Sequence, residues 1–136
     1  MTILSVQHIQ RVAAQPRALL TKAGFELIDA PERHFCCGSA GTYNLLQPKM
    51  AASLGRRKAD HIASATPDIW AAGNIGCLIQ IARFLRLPSA HTVELLDWAS
   101  GGPTPPGLIG LYEEAVRTRS LKRQTDTPTV AGGAFW

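Results

Sequence analysis

The 136-residue chain is 46% hydrophobic and 18% charged, with a formal net charge of +4, which fits one globular domain with a real core and excludes a disordered chain. Its basic residues are scattered apart from Arg56-Arg57-Lys58 and the group Arg117, Arg119, Lys122 and Arg123, so the dense basic stripe with aromatic partners that nucleic-acid binding asks for is missing. No run of about twenty apolar residues exists to span a membrane, and no basic flank followed by an apolar run suggests a secretory leader.

The composition of Ser5 to Ala23 is helical, with Ile9, Val12, Ala13, Leu19, Leu20 and Ala23 on one broad face. Pro16 interrupts it and belongs in the first turn of a second helix, which Gly24 ends as the C′ residue. Phe25-Glu26-Leu27-Ile28 reads as a short strand closed by Asp29-Ala30-Pro31.

Beyond the cysteine pair at Cys36 and Cys37, the residues Leu46, Met50, Leu54 and Ile62 recur at helical spacing. They predict a helix from Tyr43 to Ala65, bent at Pro48 and stopped by Thr66-Pro67. Arg56, Arg57 and Lys58 are read as its solvated face. Asp68 to Ala72 is strand-like and runs into Gly73-Asn74-Ile75-Gly76-Cys77, after which Leu78, Ile79, Ile81, Ala82 and Leu85 mark another helix.

Pro88 to His91 reads as extended, and Thr92 as the cap of a helix through Trp98. Gly101-Gly102-Pro103 stops that helix. A last helix is expected from Leu108 to Leu121, followed by a polar, then Gly-rich tail from Lys122 to Trp136, expected to be mobile. Residues 1–108 are thus one cysteine-bearing domain, and residues 109–136 a C-terminal helix and tail.

Repeated strand, glycine loop and helix units predict an α/β fold: layered, with a small, mostly parallel sheet and crossover helices. Ligands of such sheets gather outside the carboxyl ends of the strands. That rule brings the loops at Cys36 and Cys77 to one edge.

Three cysteines, two of them adjacent, make a poor disulfide framework and point to reduced thiols in the cytoplasm. In Cys36-Cys37-Gly38-Ser39-Ala40-Gly41 the glycines let backbone approach a bulky group closely. The helix that follows directs its first N–H groups back at the loop. Paired thiolates under such groups suit an anionic, thiophilic guest, and an iron–sulfur cluster fits. The plain alternative is a set of buried, inert thiols. His34 before the loop, and also His8 and His91, read as structural, whereas Tyr43 and Asn44 read as helix-start residues beside the site, with Asn44 able to hydrogen-bond a cluster sulfur.

The text Cys36-Cys37-Gly38-Ser39-Ala40-Gly41-Thr42-Tyr43-Asn44-Leu45-Leu46-Gln47-Pro48 resembles the second cysteine-rich "CCG" domain of the glycolate oxidase iron–sulfur subunit, a family related to the heterodisulfide reductase B subunits. Gln7-His8, Pro16 to Leu20, Ala23-Gly24-Phe25, Gly73 to Cys77 and His91 to Ala99 carry the same likeness, over roughly Leu4 to Leu108. The resemblance implies Cys36, Cys37 and Cys77 as ligands of an iron–sulfur cluster, of the 4Fe–4S type. It implies Gly38, Gly41 and Gly76 in the loops that hold the cluster. It further implies electron transfer from an FAD-containing subunit that oxidises glycolate to glyoxylate, together with the remainder of an iron–sulfur subunit, at the inner membrane's cytoplasmic face.

Where that family opens its CCG domain with a cysteine, this chain has Leu4, which cannot coordinate iron. The strand that precedes that cysteine in the family is expected to be missing, leaving a sheet edge open to a partner subunit or a second copy. Gln80 stands three after Cys77, without a second cysteine. A metal-free α/β docking domain with vestigial cysteines is therefore the competing reading, and a thiol redox sensor using Cys36 and Cys37, a pair that bridges only with strain, is a third.

Overall fold

The computed structural model describes residues 14–32, 34–110 and 129–134, the last three of these as backbone. Helix α1 (Ala14–Lys22) carries Pro16 in its first turn, where no intrahelical hydrogen bond is lost. It ends at Gly24 with φ +94°, and the Phe25 N–H returns to the Leu20 carbonyl at 3.1 Å. Strand β1 (Glu26–Asp29) starts one residue later than the sequence suggests, because Phe25 turns inward against the Trp98 ring, 6.4 Å away between centroids.

The long helix predicted from Tyr43 is two helices. A single turn, α2 (Tyr43–Leu46), is followed by α3 (Pro48–Ser64). The break is at Gln47, whose φ of −130° and ψ of 59° are not helical, as expected of a residue before proline. Thr66, at φ +48°, turns the chain into β2 (Ile69–Ala72). Next come α4 (Ile75–Ala82), β3 (Ser89–His91) and α5 (Thr92–Ala99).

The α5 cap is His91 rather than Thr92. His91 Nδ1 accepts from the Val93 N–H at 3.2 Å, and the Glu94 carboxylate accepts from the His91 N–H at 2.7 Å, a reciprocal capping box. His91 and Glu94 are accordingly structural. A short 3₁₀ turn at Pro106–Leu108 follows. The rest of the expected last helix lies outside the described residues, as do Leu4 and His8.

The expected mobility of the tail is wrong where the structure describes it. Thr129–Ala134 form β4, and the sheet order is β1-β4-β2-β3, with every pairing parallel. The strand Thr129–Ala134 therefore lies inside the sheet, and among the described residues the edges are β1 and β3. Asp68 fastens it: its N–H donates to the Thr129 carbonyl at 3.1 Å, and its carboxylate accepts from the Thr129 N–H at 2.9 Å and from the Thr129 hydroxyl.

Alternation along the strands builds the two faces. Trp70, Ala72 and Ala131 point to one side, where Ala59 and Ile62 of α3 and Leu78 and Ile81 of α4 cover them. Ile69, Ala71 and Val130 point to the other, against Leu20 of α1 and Leu95 of α5. This is the layered α/β architecture the alternating elements predict. Each fully buried Leu or Ile adds about 1.5–3 kcal/mol to that packing. No helix among the described residues is long and apolar enough to cross a membrane.

Candidate metal centre

Both cysteine segments leave the carboxyl ends of parallel strands, the side on which open α/β sheets present ligands. The first follows β1. At its start the loop is fastened to α3: Arg57 donates to the Glu32 carboxylate at 2.5 Å, His61 Nδ1 stands 3.4 Å from its second oxygen, and Lys58 Nζ donates to the Glu32 carbonyl at 3.2 Å. Arg57 also lies over the Phe35 ring, 4.8 Å from its centroid. Glu32 itself takes φ +50°, a conformation that residues other than Gly, Asn and Asp adopt rarely, and these contacts from α3 hold it there.

Gly38 then has φ +83°. A Cβ on it would stand 2.7 Å from the Ala51 carbonyl oxygen and 2.9 Å from the Ala51 Cα. This glycine is required twice, by its dihedral and by the close approach of α3. Gly41, at φ +54°, is required by dihedral alone, since nothing lies within 4 Å.

The second segment follows β2. Cys77 lies inside the first turn of α4 rather than in the loop before it. Asn74 caps that turn, its Oδ1 accepting from the N–H groups of Gly76 at 2.6 Å and Cys77 at 3.2 Å. Gly76 is where the two segments pass: a Cβ there would meet Asn74 Oδ1 at 2.9 Å and Ser39 Oγ at 3.5 Å.

Cys37 and Cys77, forty positions apart, are brought to 2.9 Å between sulfurs. Cys37 is buried, Cys77 half-buried and Cys36 exposed, and all three are free thiols. Ser39 Oγ lies 3.0 Å from the Cys37 sulfur and donates to the Cys77 sulfur at 3.7 Å. The Gly38 N–H donates to the Cys36 sulfur at 3.3 Å. Asn44 is half-buried in α2. His34 is exposed, with its ring edge-on to Phe35.

The thiols do not titrate alike. The hydrogen bond from Cys37, then that from Ser39 and the charge of Lys58, lower Cys77 against its burial. Cys36 is driven well up by its contact with Cys37 and by burial. Cys37 is pulled down by Cys36, but its bond to Cys77 and its burial outweigh this and leave it raised. Of the three thiols, Cys77 is thus the one whose surroundings favour the thiolate, and it lies at a helix start that acts the same way.

Among the described residues, no group of three or more His, Cys, Asp or Glu side chains stands already arranged around a metal position. The donors nevertheless suit a thiophilic metal, because soft thiolates select zinc, copper(I) and iron–sulfur clusters. A tetrahedral centre with metal–sulfur bonds of about 2.3 Å spaces its sulfurs by roughly 3.8 Å. Cys37 and Cys77, at 2.9 Å, need part by only about 1 Å to share one metal ion, and by more to bind separate irons of a cluster.

Residues 4–82 match the family model of the cysteine-rich CCG domain. The chain belongs to that family. Among curated proteins, this CCG domain is 36% identical over 95 residues to the glycolate oxidase iron-sulfur subunit of Escherichia coli, covering 70% of this chain and 23% of that one. It is 34% identical over 79 residues to lactate utilization protein A of Geobacillus kaustophilus, covering 54% and 33%. It is 25% identical over 107 residues to a probable glycolate oxidase iron-sulfur subunit of Bacillus subtilis, covering 73% and 24%. The chain thus spans about a quarter to a third of the length of these relatives. No solved structure matches it.

Within the CCG domain, two residues of the described structure escape a reading of the sequence. Ser39 is one, and its signal is a hydroxyl two positions after Cys37. Lys58 is the other: it is 2% exposed and not part of the solvated face expected of Arg56-Arg57-Lys58. Its signal is register, since Ala51, Gly55, Lys58 and Ile62 fall on one buried helical stripe. Gln80, three positions after Cys77, is buried and donates to the Ala51 carbonyl at 2.9 Å, tying α4 to α3.

Proposed function

We propose that this CCG domain is an iron–sulfur electron-transfer module of a glycolate oxidase-type complex, with Cys36, Cys37 and Cys77 as cluster ligands. The observation that supports it most is the meeting of the Cys37 and Cys77 sulfurs at 2.9 Å at the ligand-bearing edge of a parallel sheet. A bound cluster, taken as the 4Fe–4S type, would supply reversible one-electron transfer. The chain's own part is to hold the sulfurs. Gly38 and Gly41 shape the loop, Gly76 lets the two segments pass, Asn74 sets the start of α4 beneath Cys77, and Ser39 donates to sulfur. Asn44 is carried forward as a donor from α2.

The partners in this reading are an FAD-containing subunit that oxidises a 2-hydroxy acid such as glycolate, and the remainder of an iron–sulfur subunit, in the cytoplasm. Exposed Phe35 belongs to the loop of the cysteine pair, Ile75 and Ile79 to the helix that carries Cys77, and Leu45, Leu46 and Met50 to α2 and the start of α3, which follow the loop. Apolar side chains of that kind suit burial by another subunit.

The test is anaerobic reconstitution with iron and sulfide. The expected result is a broad visible absorbance with iron retained through desalting, and its loss in a Cys36→Ser/Cys37→Ser protein. Equal iron retention in the double variant would show the ligand assignment to be wrong. The second reading, a metal-free docking domain, is favoured by the lack of a prearranged three-donor group among the described residues. It predicts that the double variant still binds the flavin subunit as tightly as the wild type.

A further inference from the structure

Thiols held in contact have a second chemistry open to them besides metal binding. The Cys37 and Cys77 sulfurs stand 2.9 Å apart. A disulfide bond is about 2.05 Å long, so the pair needs to close by only about 0.9 Å to form one. Backbone on both sides holds the sulfurs in place. Gly38 lies so close to Ala51 of α3 that a Cβ would not fit, and the Asn74 cap fixes the turn that carries Cys77. Ser39 spans the pair, its hydroxyl 3.0 Å from the Cys37 sulfur and 3.7 Å from that of Cys77.

The three thiols differ in access and in reach. Cys37 is buried, Cys77 half-buried and Cys36 exposed. A small oxidant in solution therefore meets Cys77 before Cys37. Cys36 is open to it as well, but its sulfur accepts from the Gly38 N–H at 3.3 Å, and adjacent cysteines bridge only with strain. Cys37 and Cys77 lie forty positions apart on separate segments and carry no such constraint.

We propose that Cys37 and Cys77 form a reversible disulfide in the metal-free domain, with a peroxide as oxidant, and that this bond and a bound metal exclude each other. The exclusion rests on the ligand role proposed for these cysteines; the bond itself does not. The Cys77 thiolate attacks one peroxide oxygen and breaks the O–O bond, which leaves a sulfenic acid on Cys77 and releases one water after protonation. The Cys37 sulfur then attacks the sulfenic sulfur. The S–S bond forms, the S–O bond breaks, and a second water leaves with the Cys37 proton. Two electrons thus pass from the two thiols to the peroxide, and a dithiol reductant reverses the change by exchange. In the oxidised form only Cys36 is left as a thiolate donor, too few for the centre to hold metal.

The test uses the full-length chain, reduced, stripped of metal with a chelator and kept under nitrogen. After a slight molar excess of hydrogen peroxide, thiols are counted in the denatured protein. The three thiols should fall to one, and dithiothreitol should restore them. Tryptic digestion without reduction should join residues 34–49, which hold Cys36 and Cys37, to residues 59–83, which hold Cys77. Cys36→Ser, with circular dichroism to confirm folding, should lose both of its thiols.

The disulfide is overturned if the wild type keeps all three thiols, if the bond is confined to residues 34–49, or if folded Cys36→Ser keeps both of its thiols. Should Cys36→Ser fail to fold, the wild-type digest decides alone. Cd²⁺, followed by its ultraviolet thiolate band, should bind to the reduced chain and not to the oxidised one. Equal uptake by both forms, or uptake by neither, overturns the exclusion. A reduced chain that forms the link yet takes up no iron and sulfide defeats the cluster reading and leaves the disulfide standing.

Discussion

Gly38→Ala is the most informative change to the cysteine loop, because the structure separates its two consequences. At φ +83° an alanine carries a left-handed penalty of about 1–2 kcal/mol. Its Cβ would also stand 2.7 Å from a backbone oxygen and 2.9 Å from a Cα of Ala51, neither of which can rotate away. Shifting α3 or the loop to relieve this adds about 1–3 kcal/mol, the usual scale of overpacking. The sum is about 2–5 kcal/mol, a large share of a domain stability of about 5–15 kcal/mol. Gly41→Ala is the internal control: its φ is +54° with nothing within 4 Å, so it carries the conformational part alone, about 1–2 kcal/mol. Urea unfolding under reducing, metal-free conditions measures both, provided m is unchanged. Equal losses in the two variants would refute the steric argument and with it the close approach of α3 to the cysteine loop.

The Glu32 carboxyl is held below its usual range, first by the hydrogen bond from Arg57. Its stabilising effect is complete above about pH 4.5, the usual value, and is lost as pH falls through the lowered folded value. Glu32→Gln should flatten urea midpoints across that acid window and leave their pH dependence near neutrality unchanged. Asn74→Ala removes the acceptor for two N–H groups at the start of α4 and should lower stability by about 1 kcal/mol in urea unfolding. Deleting Thr129–Trp136 withdraws the strand between β1 and β2, and should abolish the cooperative transition seen by circular dichroism; a truncated chain with an unchanged midpoint would contradict the central placement of β4.

Much of this architecture is local and therefore legible. Gly24 ends α1, Pro48 splits the helix after the cysteines, Thr66-Pro67 stops α3, and the short apolar run Ile69 to Ala72 marks β2. Each depends on a dihedral or a periodicity that a few residues carry. The faults arise where the deciding contact is distant. Thr129-Val130-Ala131-Gly132-Gly133-Ala134 reads as flexible, since small residues and glycine weaken a strand on their own. It becomes β4 because β1 and β2 each offer it a parallel partner. Lys58 follows its basic neighbours in composition, but its helical register with Ala51, Gly55 and Ile62 determines its burial. His91 and Thr92 compete for one cap, and Glu94 decides for His91 by accepting its N–H.

The place of β4 also bears on why the thiols meet where they do. Neighbouring strands lie about 4.8 Å apart, so β1 and β2, with β4 between them, stand roughly 9.6 Å apart at the base of their loops. The segments ending in Cys37 and Cys77 close that gap from opposite sides, over the end of β4. Cys37 packs in the same buried cluster as Trp70 and Ala72 of β2 and Ala131 of β4. Small residues suit that position, because a large side chain at Ala131 would press on the layer that carries Cys37. The sheet's width and the size of its middle strand thereby set the separation of the two thiols. The glycines at Gly38 and Gly76 then let the loops descend onto it.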